Sequence, residues 1–225
     1  MTKADLKKVD RKSLEARAVE SLEEAILIGR LPLGARLTEM QLSEDLGASR
    51  GTVRSALTKL SASGLIVQRP YAAWEVINFS AQDIWELFTL RASLEGLGIR
   101  FAIERSGQTG RDAVGAAYET LAQSCADGSV AAIAAADLAF HKAIIAQAGH
   151  SLLKEHFERV EMRVQMIISS SNALISSAAE ILRQHEPIAL AFAAQDIPRA
   201  VAALEKHILG EGESLVASKH SKSPG

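Results

Sequence analysis

The sequence predicts a mainly α-helical protein in two parts. A small N-terminal domain of helices with a two-stranded hairpin precedes a six-helix antiparallel bundle. Three observations carry this. Of the 225 residues, 48% are hydrophobic but only 4% aromatic, and alanine and leucine, both strong helix formers, dominate. Apolar residues recur at i, i+3, i+4 and i+7 in most segments. Only two short β-branched runs, one from Leu65 through Gln68 and one from Trp74 through Ile77, break that period.

The length suits one or two small domains, each able to bury a core. Cys125 is the single cysteine, so no internal disulfide forms and a reducing compartment fits. No apolar run approaches a membrane span, and the charged N-terminus does not read as a signal peptide. A soluble, cytoplasmic protein is expected, with no membrane partner. The net charge of −2 argues against a generic polyanion binder. Its distribution is more informative: residues 1–77 hold 12 Lys and Arg against 10 Asp and Glu, and the remainder 13 against 17. The N-terminal part is therefore the side expected to face phosphates.

Residues 1–12, with Lys3, Lys7, Lys8, Arg11 and Lys12, read as a solvated arm. A helix is expected from Ser13 to Ile28, with Ala18, Leu22, Ala25 and Ile26 on its apolar stripe and Gly29 as its stop. The stretch from Thr38 to Leu65 follows. Thr38 caps a short helix through Met40, Leu42 and Leu46, which Gly47 ends. Ser49 caps a second helix, whose inward positions are Val53, Ala56, Leu57 and Leu60, and Gly64 closes it. Arg50 and Arg54 lie one turn apart off that face. Two short helices joined by a tight turn, the second with arginines near its N-terminus, make a helix-turn-helix. The major groove accepts such a helix, and an arginine fork bonds both acceptors on a guanine edge. The hairpin around Arg69-Pro-Tyr-Ala-Ala adds a wing. Residues 1–77 are thus expected to form a winged-helix DNA-binding domain, with Thr38, Ser49, Arg50, Thr52, Arg54 and Arg69 at the DNA.

Residues 78–82 form the expected linker, and Ser80 and Asp83 make an S-x-x-D capping box. Residues 83–217 read as an all-helical domain, with helices at 81–105, 110–125, 129–148, 150–171, 177–195 and 197–217. Breaks fall at Gly107/Gly110, Asp127-Gly128, Gly149, Asn172 and Asp196-Ile-Pro. Residues 218–225 are expected to be a disordered tail.

Four polar residues occupy positions on these helices where apolar ones belong. Asp137 and His141, at i and i+4, fall in the series Ile133, Asp137, His141, Ile144, Ile145, Ala148. His185 sits among Ile181, Leu182, Ala189 and Phe192, and His207 among Ile197, Val201, Leu204 and Ile208. An unpaired polar group there costs several kcal/mol. The four must satisfy one another, bond locally to carbonyls, or share a metal ion. Arg91 is inward too, and reads either as a buried ion pair with Glu95 or as a fork for a ligand carboxylate. Arg163 falls between Val160 and Val164 with a less certain direction. His150, His156 and His220 read as surface or local-structure residues.

Two resemblances add to this. Gly34-Ala-Arg-Leu-Thr-Glu, Leu42-Ser-Glu-Asp-Leu-Gly, Ser49-Arg-Gly-Thr-Val-Arg-Ser-Ala-Leu and Ser63-Gly-Leu-Ile together resemble the winged-helix reader of the GntR family of bacterial regulators. Met40 departs from the family, which often carries an arginine there, and Pro70, Tyr71 and Ala72 stand where a wing glycine is usual. The Asp137-Leu-Ala-Phe-His141 run, with Gln184-His185-Glu-Pro-Ile and Glu205-Lys-His207-Ile, resembles the FCD effector domain of the family's FadR-type branch. Six helices make it similar to the VanR-type subgroup. The resemblance implies a divalent metal on Asp137, His141, His185 and His207. It also implies an effector pocket into which Arg91, within Leu90-Arg-Ala-Ser-Leu-Glu, points, with Arg163 as a second candidate.

The expected protein is a homodimeric transcription regulator, by family habit a repressor, on a palindromic operator in double-stranded DNA. It senses a small organic acid beside zinc, nickel or manganese. Two alternatives are a metal-dependent helical hydrolase and a regulator whose metal is purely structural. The chain has no His-Asp dipeptide and no spare acid standing out as a general base, so no enzyme is expected.

Overall fold

A computed structural model describes residues 13–69, 74–127, 130–170 and 177–221. The chain divides into two compact units, Met1–Asn78 and Phe79–Gly225. The expected arm at residues 1–12, the wing tip at Pro70, Tyr71 and Ala72, and the breaks at Gly128 and Asn172 lie outside the described residues.

In the first unit, Ser13 caps α1 (Leu14–Leu27) by accepting the Ala16 N–H, and Ala18, Leu22 and Ile26 are buried. The reader pair is α2 (Glu39–Leu46) and α3 (Arg50–Ala62). Gly47 ends α2 at φ 58°, a left-handed conformation that glycine adopts without strain. Val53, Ala56, Leu57 and Leu60 are the buried face of α3. The hairpin strands are β2 (Ile66–Gln68) and β3 (Trp74–Val76). A third strand, β1 (Arg36–Leu37), pairs antiparallel with β3 in the order β1-β3-β2. Gly34 turns the chain onto β3, donating to the Val76 carbonyl, while the Val76 N–H donates to Ala35.

The second unit holds α4 (Ala81–Arg105), α5 (Gln108–Asp127), α6 (Val130–Gln147), α7 (Ser151–Ser170), α8 (Ala178–Ala193) and α9 (Ile197–Ser221). The expected capping box starts α4: Ser80 and Asp83 exchange side chain–backbone bonds at 2.7 and 3.1 Å. Helix α4 packs on α6, α7 and α9, α5 packs on α6 and α8, and α8 packs on α9. Phe88, Phe140, Phe157 and Phe192 are fully buried. The approach of α9 to α4 is close, since a Cβ on Gly212 would lie 2.7 Å from Phe88 Cβ. The expected tail needs correcting. Helix α9 runs on to Ser221, because Leu215 is buried and the Lys219 ammonium donates to the Phe79 carbonyl. Among the described residues, no helix is long and apolar enough to cross a membrane.

Candidate metal centre and nucleic-acid interface

Asp137 and His141 share one face of α6 because four residues make about one turn. His185 comes from α8 and His207 from α9. One donor atom from each of the four lies within 4.8 Å of the others. The three rings are buried: His141 at 0%, His185 at 1% and His207 at 8% exposure. Phe140 sets its ring edge-on to both His141 and His185 and walls the cluster on one side.

Each imidazole has one nitrogen already committed. His141 Nδ1 lies 2.5 Å from Glu95 Oε2, His185 Nδ1 2.8 Å from the Ile181 carbonyl, and His207 Nδ1 3.2 Å from Gln184 Oε1. An Nδ1–H that donates leaves the Nε2 lone pair free. All three Nε2 atoms and Asp137 Oδ1 are buried, and among the described residues none has a hydrogen-bond partner outside the cluster. Asp137 Oδ1 lies 2.5 Å from His185 Nε2 and 3.9 Å from His141 Nε2. Burial lowers the pKa of His185, but Asp137 outweighs it and the net shift is upward. Burial pushes the Asp137 carboxyl up, yet its bond to His185 and the charges of the three imidazoles hold it well below the usual range. Burial, then His185 and His141, push His207 well below its ordinary value. Three imidazole nitrogens and one carboxylate oxygen suit a borderline divalent ion such as zinc, nickel or manganese.

Beyond His141 a buried ion-pair chain continues. Glu95 Oε1 accepts from Arg91 Nε at 2.6 Å, and Arg91 Nη1 donates to Glu211 Oε2 at 3.0 Å. Arg91 is 4% exposed and Glu95 0%. The Arg91–Glu95 pair that the sequence leaves open is therefore present, and Glu211 of α9 joins it. Burial pushes the Glu95 carboxyl up, but His141 and Arg91 outweigh that and hold it below its usual value. Burial raises Glu211, which Arg91 only partly opposes. Glu211 escapes sequence reading because it sits in a polar Gly-Glu-Gly-Glu run that looks solvated. Arg163 on α7 is half-buried, and its Nε is buried without a hydrogen-bond partner among the described residues. His150 caps α7, its Nδ1 accepting the Leu153 N–H.

At the reader, Ser49 accepts the Thr52 N–H at 3.1 Å and Thr38 accepts the Gln41 N–H at 3.3 Å, so both serve as helix caps. Arg50 opens α3 and is exposed. Arg54 is not free: its fork bonds both oxygens of Glu39 on α2 at 2.8 Å. Arg69 pairs with Glu75 at 3.2 Å. Exposed pairs of this kind are weak, so a phosphate or a base edge displaces them readily.

The model of the bacterial regulatory proteins of the gntR family matches residues 14–76, and that of the FCD domain matches residues 86–210. The chain belongs to the GntR family. A relative from Paenarthrobacter nicotinovorans, described as "Probable D-xylose utilization operon transcriptional repressor", is 29% identical over 220 residues, 97% of this chain and 94% of that one. The repressor GlaR of Escherichia coli is 26% identical over 196 residues, 84% of this chain and 89% of GlaR. The structure of E. coli McbR/YncC superposes with a TM-score of 0.76 at 23% identity, covering 93% of this chain and 100% of that one, which shows a shared fold. This GntR-family chain is a DNA-binding transcription regulator, not an enzyme, and the hydrolase alternative falls away.

Proposed function

We propose that this regulator is a ligand-responsive repressor. Its helical domain holds a divalent metal ion on Asp137, His141, His185 and His207, and a small carboxylic acid binds beside the ion. One observation carries the reading: four buried donor atoms converge on one point, with no partner outside the cluster among the described residues, while every Nδ1 of the three rings is already spent. The ion supplies a positive charge for an acid's oxygen. Arg91 supplies the second hold, and the acid would take the place of Glu211, the more exposed of the arginine's two partners. Displacing Glu211 loosens α9 from Arg91, and this difference between bound and free states is what an allosteric coupling needs. The regulator acts as a homodimer on a palindromic operator, because one recognition helix reads few base pairs.

A thermal-shift screen of small organic acids, with and without zinc, nickel or manganese, tests this. An acid at 100 times its Kd adds about 2.7 kcal/mol of stability, a rise of roughly 5–10 °C for a chain of this size. The rise is expected only with metal present. Acids that shift nothing under any metal refute the sensor, and if the metals still raise the melting temperature while no acid adds to it, the ion is structural. At the reader, Arg50→Ala is expected to weaken specific binding by about 1–3 kcal/mol if the fork meets a base. Fluorescence anisotropy on operator DNA reads this, and unchanged affinity removes Arg50 from the interface.

A further inference from the structure

We infer that Glu95 is the positioning residue of the metal centre: its carboxylate fixes the His141 proton on Nδ1 and so presents Nε2 to the ion. This rests on the metal reading above and assigns a role to a helix that brings no ligand of its own. Glu95 lies on α4, 46 residues from His141 in sequence, yet Oε2 reaches His141 Nδ1 at 2.5 Å with both side chains at 0% exposure. The other oxygen is occupied by Arg91 Nε at 2.6 Å, so the carboxylate is pinned from both sides and cannot swing toward the ion as a ligand. The other two rings rest on neutral acceptors, the Ile181 carbonyl and the Gln184 amide. Of the three rings, His141 alone has a carboxylate as its Nδ1 acceptor, and such a partner orients a ligating ring.

The isosteric Glu95→Gln variant separates positioning from packing. Arg91 can only donate, so the new amide must turn its oxygen to Arg91 and its NH2 to His141. That NH2 demands a lone pair on Nδ1 and drives the ring proton to Nε2, the nitrogen the ion needs. In the full chain, zinc affinity measured by chelator competition is expected to fall 10–100-fold in Glu95→Gln. In Glu161→Gln, which changes a buried carboxylate of the same domain that pairs with Lys142, it is expected to stay within about threefold. An equal fall in both variants, or no fall in Glu95→Gln, overturns the inference. Long-range 1H–15N spectra of the zinc-loaded wild type need no variant to fold. They are expected to show His141 protonated at Nδ1, and protonation at Nε2 overturns the inference as well. A wild type that binds no zinc overturns the metal reading itself, which the unmutated chain reveals before any variant is made.

Discussion

Replacing Arg91 with alanine is expected to remove about 3–5 kcal/mol from the stability of the helical domain, as breaking a buried ion pair from one side does. The guanidinium, at 4% exposure, stands between Glu95 at 0% and Glu211, whose side chain is 18% exposed. Its removal leaves two carboxylates facing each other across a void with no positive charge between them. Glu211 can turn outward; Glu95 cannot, because His141 still holds its other oxygen. The second site then matters. Adding Glu211→Ala to Arg91→Ala is expected to return part of the loss, since one stranded carboxylate has gone, and the two changes are strongly non-additive. Urea denaturation followed by far-UV circular dichroism measures both. An Arg91→Ala protein as stable as wild type would mean that water reaches this network. The same result bears on sensing, because Arg91→Ala then tests the acid anchor only where the fold survives.

The second large effect concerns the metal ligands. Four-ligand structural zinc sites bind with roughly 10–16 kcal/mol, so losing one ligand of four here is expected to cost about 3 kcal/mol, on the order of 100-fold in affinity. His185→Ala is expected to show this loss as a drop in metal content after dialysis and as weaker binding by titration calorimetry. His185 is a clean target. Its Nδ1 partner is a carbonyl on its own helix, and its Nε2 is one of the four converging donors. His150→Ala is the control, since that ring caps α7 and lies outside the cluster. Full occupancy in His185→Ala would exclude His185 as a ligand.

What the sequence made legible follows from periodicity. The six helices of the second unit lie within a few residues of their expected positions, because Ser80, Gly149 and Asp196 punctuate long apolar stripes. The buried face of α3 was readable for the same reason. Strand β1 was not: two residues cannot display an alternating pattern, and its pairing depends on the Gly34 turn reaching β3. The inward direction of the three histidines could be read off their own helices, but their second partners could not. Glu95 was visible as a neighbour of Arg91 one turn away and invisible as the neighbour of His141 on another helix. Arg54 is a similar case. Its partner Glu39 stands 15 residues upstream, a distance closed only once α2 and α3 have packed.

The pairing of α4 with α9 brings together the first and last helices of the second unit. A chain emerging from the ribosome therefore presents Asp137 and His141 long before the segment that bears His207 and Glu211 exists. Contacts so far apart in order of synthesis form late. A product cut short before Ile197 would keep three of the four donors, leave Arg91 with one partner, and bare the side of α4 on which Phe88 meets Gly212. Completion of the donor set thus doubles as a mark of a full-length, correctly closed domain.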